Sequence, residues 1–196
     1  MKSLKSLLFV FLIATTSVFA RQADWNIDVA HSKVQFSVSH MLISEVIGYF
    51  KKFDARINAA DDELQNANIE FTIDVSSINT DNEARDNHLK SDDFFNAEKF
   101  PKITFKGKSL KKVGEGRYKL TGDFTMRDIT KQIELDVVHG GTIKDPYGKI
   151  RSGYKISGTV NRLDYNLKWN KLMETGGAMV GREVSILCNI EIVKEK

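Results

Sequence analysis

Val34-Gln35-Phe36-Ser37-Val38-Ser39-His40 carries the clearest signal of the fold class, because apolar and polar residues alternate along its length. Such alternation places one set of side chains on a buried face and the other in water, as in a β-strand. The same pattern returns at residues 25–29, 69–75, 118–126, 133–137 and 154–160, with weaker runs at 48–57 and 103–106. The chain is therefore predicted to contain about eight or nine strands.

The predicted strands are best arranged as a closed barrel. Several of the alternating runs exceed the usual length of a strand, about five or six residues. Long antiparallel strands around a single core, with no helical half, favour closure because closure removes exposed sheet edges. Both prolines, Pro101 and Pro146, fall between the runs, where proline is tolerated. We predict an all-β fold, an antiparallel β-barrel of about eight strands.

One segment departs from the strand pattern. Thr80-Asp81-Asn82-Glu83 has the form of a capping box, in which Thr80 is the N-cap and Glu83 reaches back to it. A second helix start signal follows at Ser91, with acidic residues in its first turn. We expect a short helical insertion near residues 80–97 that covers one end of the barrel.

A second long connection, residues 163–180, is more apolar than a solvated loop. It contains Leu167, Trp169, Leu172 and Met173. Exposed apolar side chains in such number are uncommon on a soluble monomer. We therefore expect all four to pack against a barrel end or a ligand.

The first 20 residues have the parts of a secretory signal peptide. Lys2 and Lys5 form a basic start, residues 7–14 are an apolar run, and small residues lead up to Ala20. The apolar run is much shorter than the roughly 18 residues needed to cross a bilayer. We predict that residues 1–20 are a signal peptide cleaved after Ala20, and that residues 21–196 form a single exported domain. The alternative is an N-terminal membrane anchor.

Composition excludes several classes of protein. With 41% hydrophobic residues and a net charge of +3, the chain is neither a disordered tail nor a multi-span membrane protein. A nearly neutral exported domain has no electrostatic case for binding nucleic acid. The single cysteine, Cys188, cannot form an intramolecular disulfide, and its apolar neighbours predict a small buried hydrophobe. We expect a monomer or a weak homodimer.

The sequence carries no catalytic motif of a known kind. It has no nucleophile elbow, no glycine-rich phosphate loop and no zincin histidine pair. His40 continues the apolar face of the first strand quoted above, so it is expected to point inward. The alternatives for His40 are a hydrogen-bonded core residue, a contact to a ligand, or a metal ligand.

Two charged groups are predicted to be structural. Arg85, Asp86 and His88 lie within four residues on the predicted helix, and a salt-bridged helix surface is favoured over catalysis because no nucleophile is indicated nearby. Arg162 and Asp164 flank an apolar residue at the start of the long connection. We expect them to form an ion pair that pins the loop.

Periodicity leaves one question about the barrel open. The chain has 12 phenylalanines, many of them on predicted inward faces. A barrel of about eight strands is just wide enough to be filled by side chains or to hold one slender ligand. The pattern of residues does not distinguish a filled barrel from a hollow one.

Several motifs occur in the order found in the YceI-like family, which the chain resembles over nearly all of residues 21–196. The motifs are Trp25-x-Ile27-Asp28-x-x-His31-Ser32, Gly48-x-Phe50, Arg85-Asp86-x-His88-Leu89-x-Ser91, Phe100-Pro101-x-Ile103-Thr104-Phe105, Gly122-x-Phe124-Thr125-Met126-Arg127 and Arg162-x-Asp164-Tyr165-x-Leu167-x-Trp169. The resemblance implies a lipocalin-like antiparallel barrel, exported to the periplasm. It also implies that the barrel binds a long isoprenoid or related lipid inside, with no cofactor and no catalysis.

The resemblance turns the inward positions into candidate ligand contacts. The candidates for the apolar lining are Phe36, Val38, Phe50, Phe71, Ile73, Phe105, Phe124 and Ile156. The candidates for the mouth, where a few polar groups would hold a head group, are His40, Arg85 and Trp169. The expected partner is a long-chain isoprenoid or fatty lipid, with a membrane as its donor or acceptor.

Two alternatives to a lipid carrier remain. A structural or stress-response module, linked to isoprenoid quinones, would favour a filled barrel without a copurifying ligand. A metal-dependent enzyme would contain bound zinc or iron and would lose activity with a chelator.

Overall fold

The computed structural model describes residues 23–59, 64, 67–174 and 176–195, so the predicted signal peptide lies outside the described residues. The strands are β1 (Ala23–Ile27), β2 (Lys33–His40), β3 (Ser44–Phe50), β4 (Phe53–Ala59), β5 (Asn68–Asp74), β6 (Ile78–Asn79), β7 (Lys102–Gly114), β8 (Arg117–Met126), β9 (Ile129–Lys144), β10 (Ile150–Asn161) and β11 (Val180–Lys194). One α-helix is described, α1 (Glu83–Lys90), together with 3₁₀ turns at Val29–His31, Val75–Ser77 and Arg162–Tyr165.

The described strands form a closed, antiparallel up-and-down barrel. β1 and β2 follow one another along the same side of β11, where Ile27 lies opposite Ile192 and Val38 lies opposite Val184. In the same way, β3 pairs with β2 while β4 pairs with β1, and β6 pairs with β3 while β5 pairs with β4. The segments β1 and β2 therefore form one barrel strand with a break, as do β3 and β4, and β5 and β6. Strands β7 to β11 complete an eight-stranded barrel. The predicted fold class is confirmed.

The two ends of the barrel differ. The helix end contains the β2–β3 turn, α1 and the segment after it, the β8–β9 turn and the β10–β11 loop. Arg127 in the β8–β9 turn joins three of these parts, since its Nη1 donates to the carbonyls of Asp92 (2.9 Å), Phe94 (2.5 Å) and Asn166 (3.0 Å). The far end contains the β7–β8 and β9–β10 turns, and its core is packed around Trp25 and Ile192, which are almost fully buried.

Cys188 on β11 is buried among apolar residues, as its neighbours in the sequence predict. Burial raises the pKa of its thiol to about 12, against a smaller lowering effect of a backbone hydrogen bond from Gln35. A thiol with so high a pKa is not a nucleophile near neutral pH, because the thiolate is the reactive form. The cysteine therefore has a packing role.

The helical insertion lies where the sequence predicts it, but its start differs. The N-cap is Asn82, whose side chain accepts a hydrogen bond from the backbone N–H of Arg85 (2.9 Å), and not Thr80. Thr80 is buried, and its Oγ1 and N–H both donate to Oδ1 of Asp86 (2.6 and 2.8 Å). The predicted salt-bridged surface is thus wrong for Asp86, because a buried carboxylate needs hydrogen-bond donors and finds them on Thr80. No helix among the described residues is long and apolar enough to span a bilayer.

A network of ion pairs stabilises the far end. The guanidinium of Arg151 lies 2.7 Å from a carboxylate oxygen of Asp28, 2.7 Å from one of Asp145 and 2.5 Å from one of Glu191. Arg151 is the main cause that lowers the pKa of Asp28, to about 2, and it also lowers the pKa of Asp145. Asp28 additionally caps the turn at Val29–His31 through the backbone N–H of Ala30 (3.1 Å).

Arg151→Met is expected to lower the melting temperature at neutral pH, because it leaves three carboxylates without their guanidinium. A carboxyl whose pKa is depressed in the folded state stabilises that state above its unfolded pKa of about 4, and the contribution is lost as the pH falls. The difference in melting temperature between parent and variant should therefore become smaller as the pH falls from about 4 to about 2. Thermal melts across that range measure it.

The control for this series is Lys108→Met, which removes an exposed ion pair with Asp123 (2.6 Å). Exposed pairs contribute little to stability, so this variant should melt close to the parent at every pH. If parent and Arg151→Met differed in melting temperature by the same amount at about pH 7 and about pH 2, the ion pairs of Arg151 would not be the source of the pH dependence.

Candidate functional site

The barrel encloses a cavity of about 180 Å³ whose wall reaches the helix end. Residues from strands on all sides contribute to its wall, and so do residues of the helical insertion and of the β10–β11 loop. Among the described residues that line it, only Gln35, Thr104 and Arg162 are polar. A wall of this kind binds apolar groups and offers almost no hydrogen bond to a polar ligand.

All eight residues predicted for the apolar lining are part of the cavity wall: Phe36, Val38, Phe50, Phe71, Ile73, Phe105, Phe124 and Ile156. They lie on six strands, and each faces inward because the alternation of its strand is regular. Their contact with a ligand stays a prediction. The cavity wall also contains residues of β11, among them Val184 and Ile186, whose alternation was visible in the sequence.

Phenylalanine rings lie along the wall instead of crossing the barrel interior. A Cβ atom placed on Gly48, directly opposite Phe36 on the neighbouring strand, would lie 2.3 Å from Cζ of that ring. A Cβ atom on Gly122 would lie 2.4 Å from Cζ of Phe105 in the same way. Glycines at these two positions therefore let each ring pack directly against the backbone of the adjacent strand, where a larger residue would push it away.

The helical insertion covers the cavity at the helix end. Leu89 of α1 and Phe94 and Phe95 of the following segment contribute to the wall. Phe95 packs edge-on against Phe50 of β3, with ring centroids 6.0 Å apart. The sequence predicts a cover at this place, but these three side chains are not among the predicted lining residues. Their signal was weak because only short stretches of apolar residues mark the insertion.

The three predicted mouth residues lie at the helix end but outside the cavity wall. Arg85 is exposed, and its Nε and Nη2 donate to Oγ1 (2.8 Å) and the carbonyl oxygen (2.7 Å) of Thr80. The indole of Trp169 is half-buried and contacts the rings of His88 and Phe94, each with centroids 5.4 Å away. The structure therefore does not bring these residues together into one polar group.

His40 lies at the last position of β2, opposite Val180. It is half-buried but does not line the cavity, although Val38 two residues earlier does. The strand β11 bulges between Val180 and Val184, so the regular register of the β2–β11 pair ends before His40. A bulge of this kind redirects side chains locally. Regular alternation could not anticipate it.

Arg162 forms no ion pair with Asp164, and that prediction is wrong. Asp164 instead pairs with Lys131 across the surface (2.8 Å). The guanidinium of Arg162 is buried and donates to the carbonyls of Leu167 (2.5 Å), Trp169 (2.8 Å), Val180 (3.2 Å) and Gly181 (2.7 Å). Burial lowers the pKa of Arg162. Its side chain thus holds the two ends of the β10–β11 loop together at one end of the cavity.

The described residues contain one group with the donor types of a metal site. Ligand atoms of Asp28, His31 and Glu191 lie within 4.8 Å of one another at the far end. The carboxylates of Asp28 and Glu191 already bind the guanidinium of Arg151, and His31 Nδ1 lies 3.1 Å from Asp28. The guanidinium of Arg151 thus lies between the two carboxylates, and the three residues are part of the ion-pair network.

Comparison with known proteins gives consistent results. The sequence matches the YceI-like domain over residues 25–192. A UPF0312 protein of Staphylococcus aureus (strain N315) is 39% identical over 169 residues, which are 86% of this chain and 96% of that protein. The crystal structure of the Campylobacter jejuni YceI protein is 30% identical, with a TM-score of 0.65, over 97% of this chain and 99% of that one. A polyisoprenoid binding domain from Saccharophagus degradans is 15% identical, with a TM-score of 0.63, over 86% of this chain and 97% of that one.

Proposed function

Because the chain belongs to the YceI-like family, we propose that it is an exported binding protein that holds the tail of a long isoprenoid or related amphiphilic lipid inside its barrel. The observation that carries the proposal is the cavity, whose wall is apolar except for Gln35, Thr104 and Arg162. The Saccharophagus degradans domain binds polyisoprenoids, but at 15% identity its likeness concerns the fold alone. The ligand class proposed here rests on the cavity wall and on the family.

The physical basis of binding is burial of the tail. Removing a methylene group from water gains about 0.8 kcal/mol, so a few isoprene units supply enough free energy without polar contacts. Length and shape of the cavity then select the tail, while the head group lies near the helix end, outside the apolar wall. A hollow barrel favours a carrier over a purely structural module. A wall with so few polar side chains also favours a binding protein over an enzyme.

The predicted signal peptide supports delivery to the periplasm, where a lipid in transit between membranes needs an apolar compartment. The lipid is expected to be withdrawn from one membrane and released to another. Native mass spectrometry of protein purified from its own host tests the proposal directly, and a copurifying apolar molecule is the expected result.

Affinity is expected to rise with the number of isoprene units. Titration of delipidated protein with geraniol, farnesol and geranylgeraniol, which differ by one unit each, should show a gain of at least about tenfold per unit until the cavity is full. Saturated straight-chain alcohols of matched carbon number are the comparison. Weaker binding of these alcohols would show that the cavity selects the branched tail. Equal affinity for all three isoprenoids, or binding of none, would contradict the proposal.

A further inference from the structure

Four large apolar side chains are exposed together at the helix end. Met41, Leu42 and Ile43 form the β2–β3 turn, and Leu172 lies in the β10–β11 loop; we call these four residues the apolar tip. Their exposed fractions are 37%, 69%, 86% and 73%. The prediction that Leu172 packs against the barrel or a ligand is therefore wrong, whereas Leu167 in the same loop is buried and lines the cavity.

The turn and the loop are packed against each other, so the apolar tip is one surface. The backbone N–H of Met41 donates to the carbonyl of Met179 (2.8 Å), and the N–H of Met179 donates to the carbonyl of Lys171 (2.8 Å). Cδ1 of Leu42 lies 3.1 Å from the position of a Cβ atom on Gly177. The exposed side chains thus share a backbone framework that is held by hydrogen bonds.

The residues of the turn are not those that its backbone favours. The N–H of Ile43 donates to the carbonyl of His40 (3.2 Å), and both residues between them have positive φ, 51° at Met41 and 63° at Leu42. Tight hairpin turns with two positive φ values strongly prefer Asn and Gly, because bulky side chains are strained there. Met41 and Leu42 therefore cost stability, which indicates a role other than folding.

The size and charge of the apolar tip decide between possible occupants. A stable protein interface needs about 20 to 30 residues on each side, far more than four. Insertion of a few apolar side chains into the boundary of a bilayer needs no larger surface. Charged residues nearby are mixed in sign, with exposed Lys168 and Lys171 against Glu45 and Glu174, so no strong attraction to a charged partner is expected.

We propose that the apolar tip inserts into the surface of a lipid bilayer and places the helix end of the barrel against the membrane. The proposal rests on the proposed function for its purpose, because a barrel that exchanges an apolar tail is best oriented with the covered end of its cavity toward the lipid source. The cover of the cavity, formed by Leu89, Phe94 and Phe95, lies at the same end as the apolar tip.

The test compares binding to vesicles with stability. Met41→Asn/Leu42→Gly introduces the residues that the turn favours, and it should weaken flotation with phosphatidylethanolamine–phosphatidylglycerol vesicles at least about tenfold. Its melting temperature should equal or exceed that of the parent. Leu172→Ser, outside the turn, should weaken binding severalfold. Binding should change little between low and high salt, because insertion is apolar.

The control is Ile143→Ser/Tyr147→Ser, which removes two exposed apolar side chains at the far end and should leave flotation unchanged. All variants keep the same N-terminus, so its contribution cancels. The proposal would be overturned if the tip variants floated with vesicles as well as the parent does, or if the control variant lost vesicle binding to the same extent. A concentration-dependent dimer that the tip variants lose, without vesicle binding by the parent, would overturn it as well. Isoprenoid binding in solution is measured separately, so failure of the tip leaves the proposed function intact.

Discussion

Val38→Trp is expected to abolish binding of a long isoprenoid while the barrel still folds. Val38 lines the cavity between Val46 and Val184 of the neighbouring strands. An indole at this position would fill the interior that the tail needs. The cavity of about 180 Å³ gives the larger side chain space, so the cost to stability should stay within the roughly 1 to 3 kcal/mol typical of overpacking. Calorimetric titration of delipidated protein with geranylgeraniol measures the loss of binding.

Ser37→Trp is the matched control for this variant. Ser37 is the preceding residue on β2, its side chain points to the opposite face of the strand, and it is not part of the cavity wall. The Ser37→Trp variant should bind the isoprenoid with the affinity of the parent. Parent-like affinity in Val38→Trp would place the ligand outside the barrel, and failure of Val38→Trp to fold would indicate that this layer of the barrel has no room for a tail.

Arg162→Leu is expected to have the largest effect on stability among the variants considered. Arg162 is 2% exposed and donates to four backbone carbonyls from both ends of the β10–β11 loop. Leucine leaves those carbonyls without a donor, and buried polar groups without partners cost about 1 to 3 kcal/mol each. Allowing for relaxation of the loop and entry of water, we expect a loss of about 3 to 5 kcal/mol, or roughly 10 °C in melting temperature.

Lys131→Met provides the comparison for Arg162→Leu. It removes the exposed ion pair with Asp164, which sequence analysis had assigned to Arg162. Exposed pairs are worth at most about 1 kcal/mol, so this variant should melt within a few degrees of the parent. Chemical denaturation of both variants gives the free energies of unfolding. A loss below about 1 kcal/mol for Arg162→Leu would show that the loop does not depend on the buried guanidinium.

The direction of side chains relative to the cavity was predicted well where strands are regular and poorly where they end, whereas contact with a ligand stays a prediction. All eight predicted lining residues are part of the cavity wall, and each lies within a strand whose alternation, strong or weak, is visible in the sequence. His40 lies beside the β11 bulge, and its side chain does not line the cavity. Arg85 and Trp169 lie in the helical insertion and the long loop, whose side-chain directions depend on contacts with distant residues such as Thr80 and Phe94.

Alternation in the sequence is a property of the local backbone, so it was enough to predict the strands, the antiparallel barrel and most of the inward-facing side chains, and a capping pattern predicted the helical insertion. Tertiary packing was needed to show that the barrel contains a cavity, since the rings of Phe36 and Phe105 pack over Gly48 and Gly122. It also decided that Arg162 binds carbonyls and not Asp164, and that Met41 and Leu42 are exposed. Each of these outcomes depends on how side chains pack against neighbouring segments, which strand periodicity does not encode.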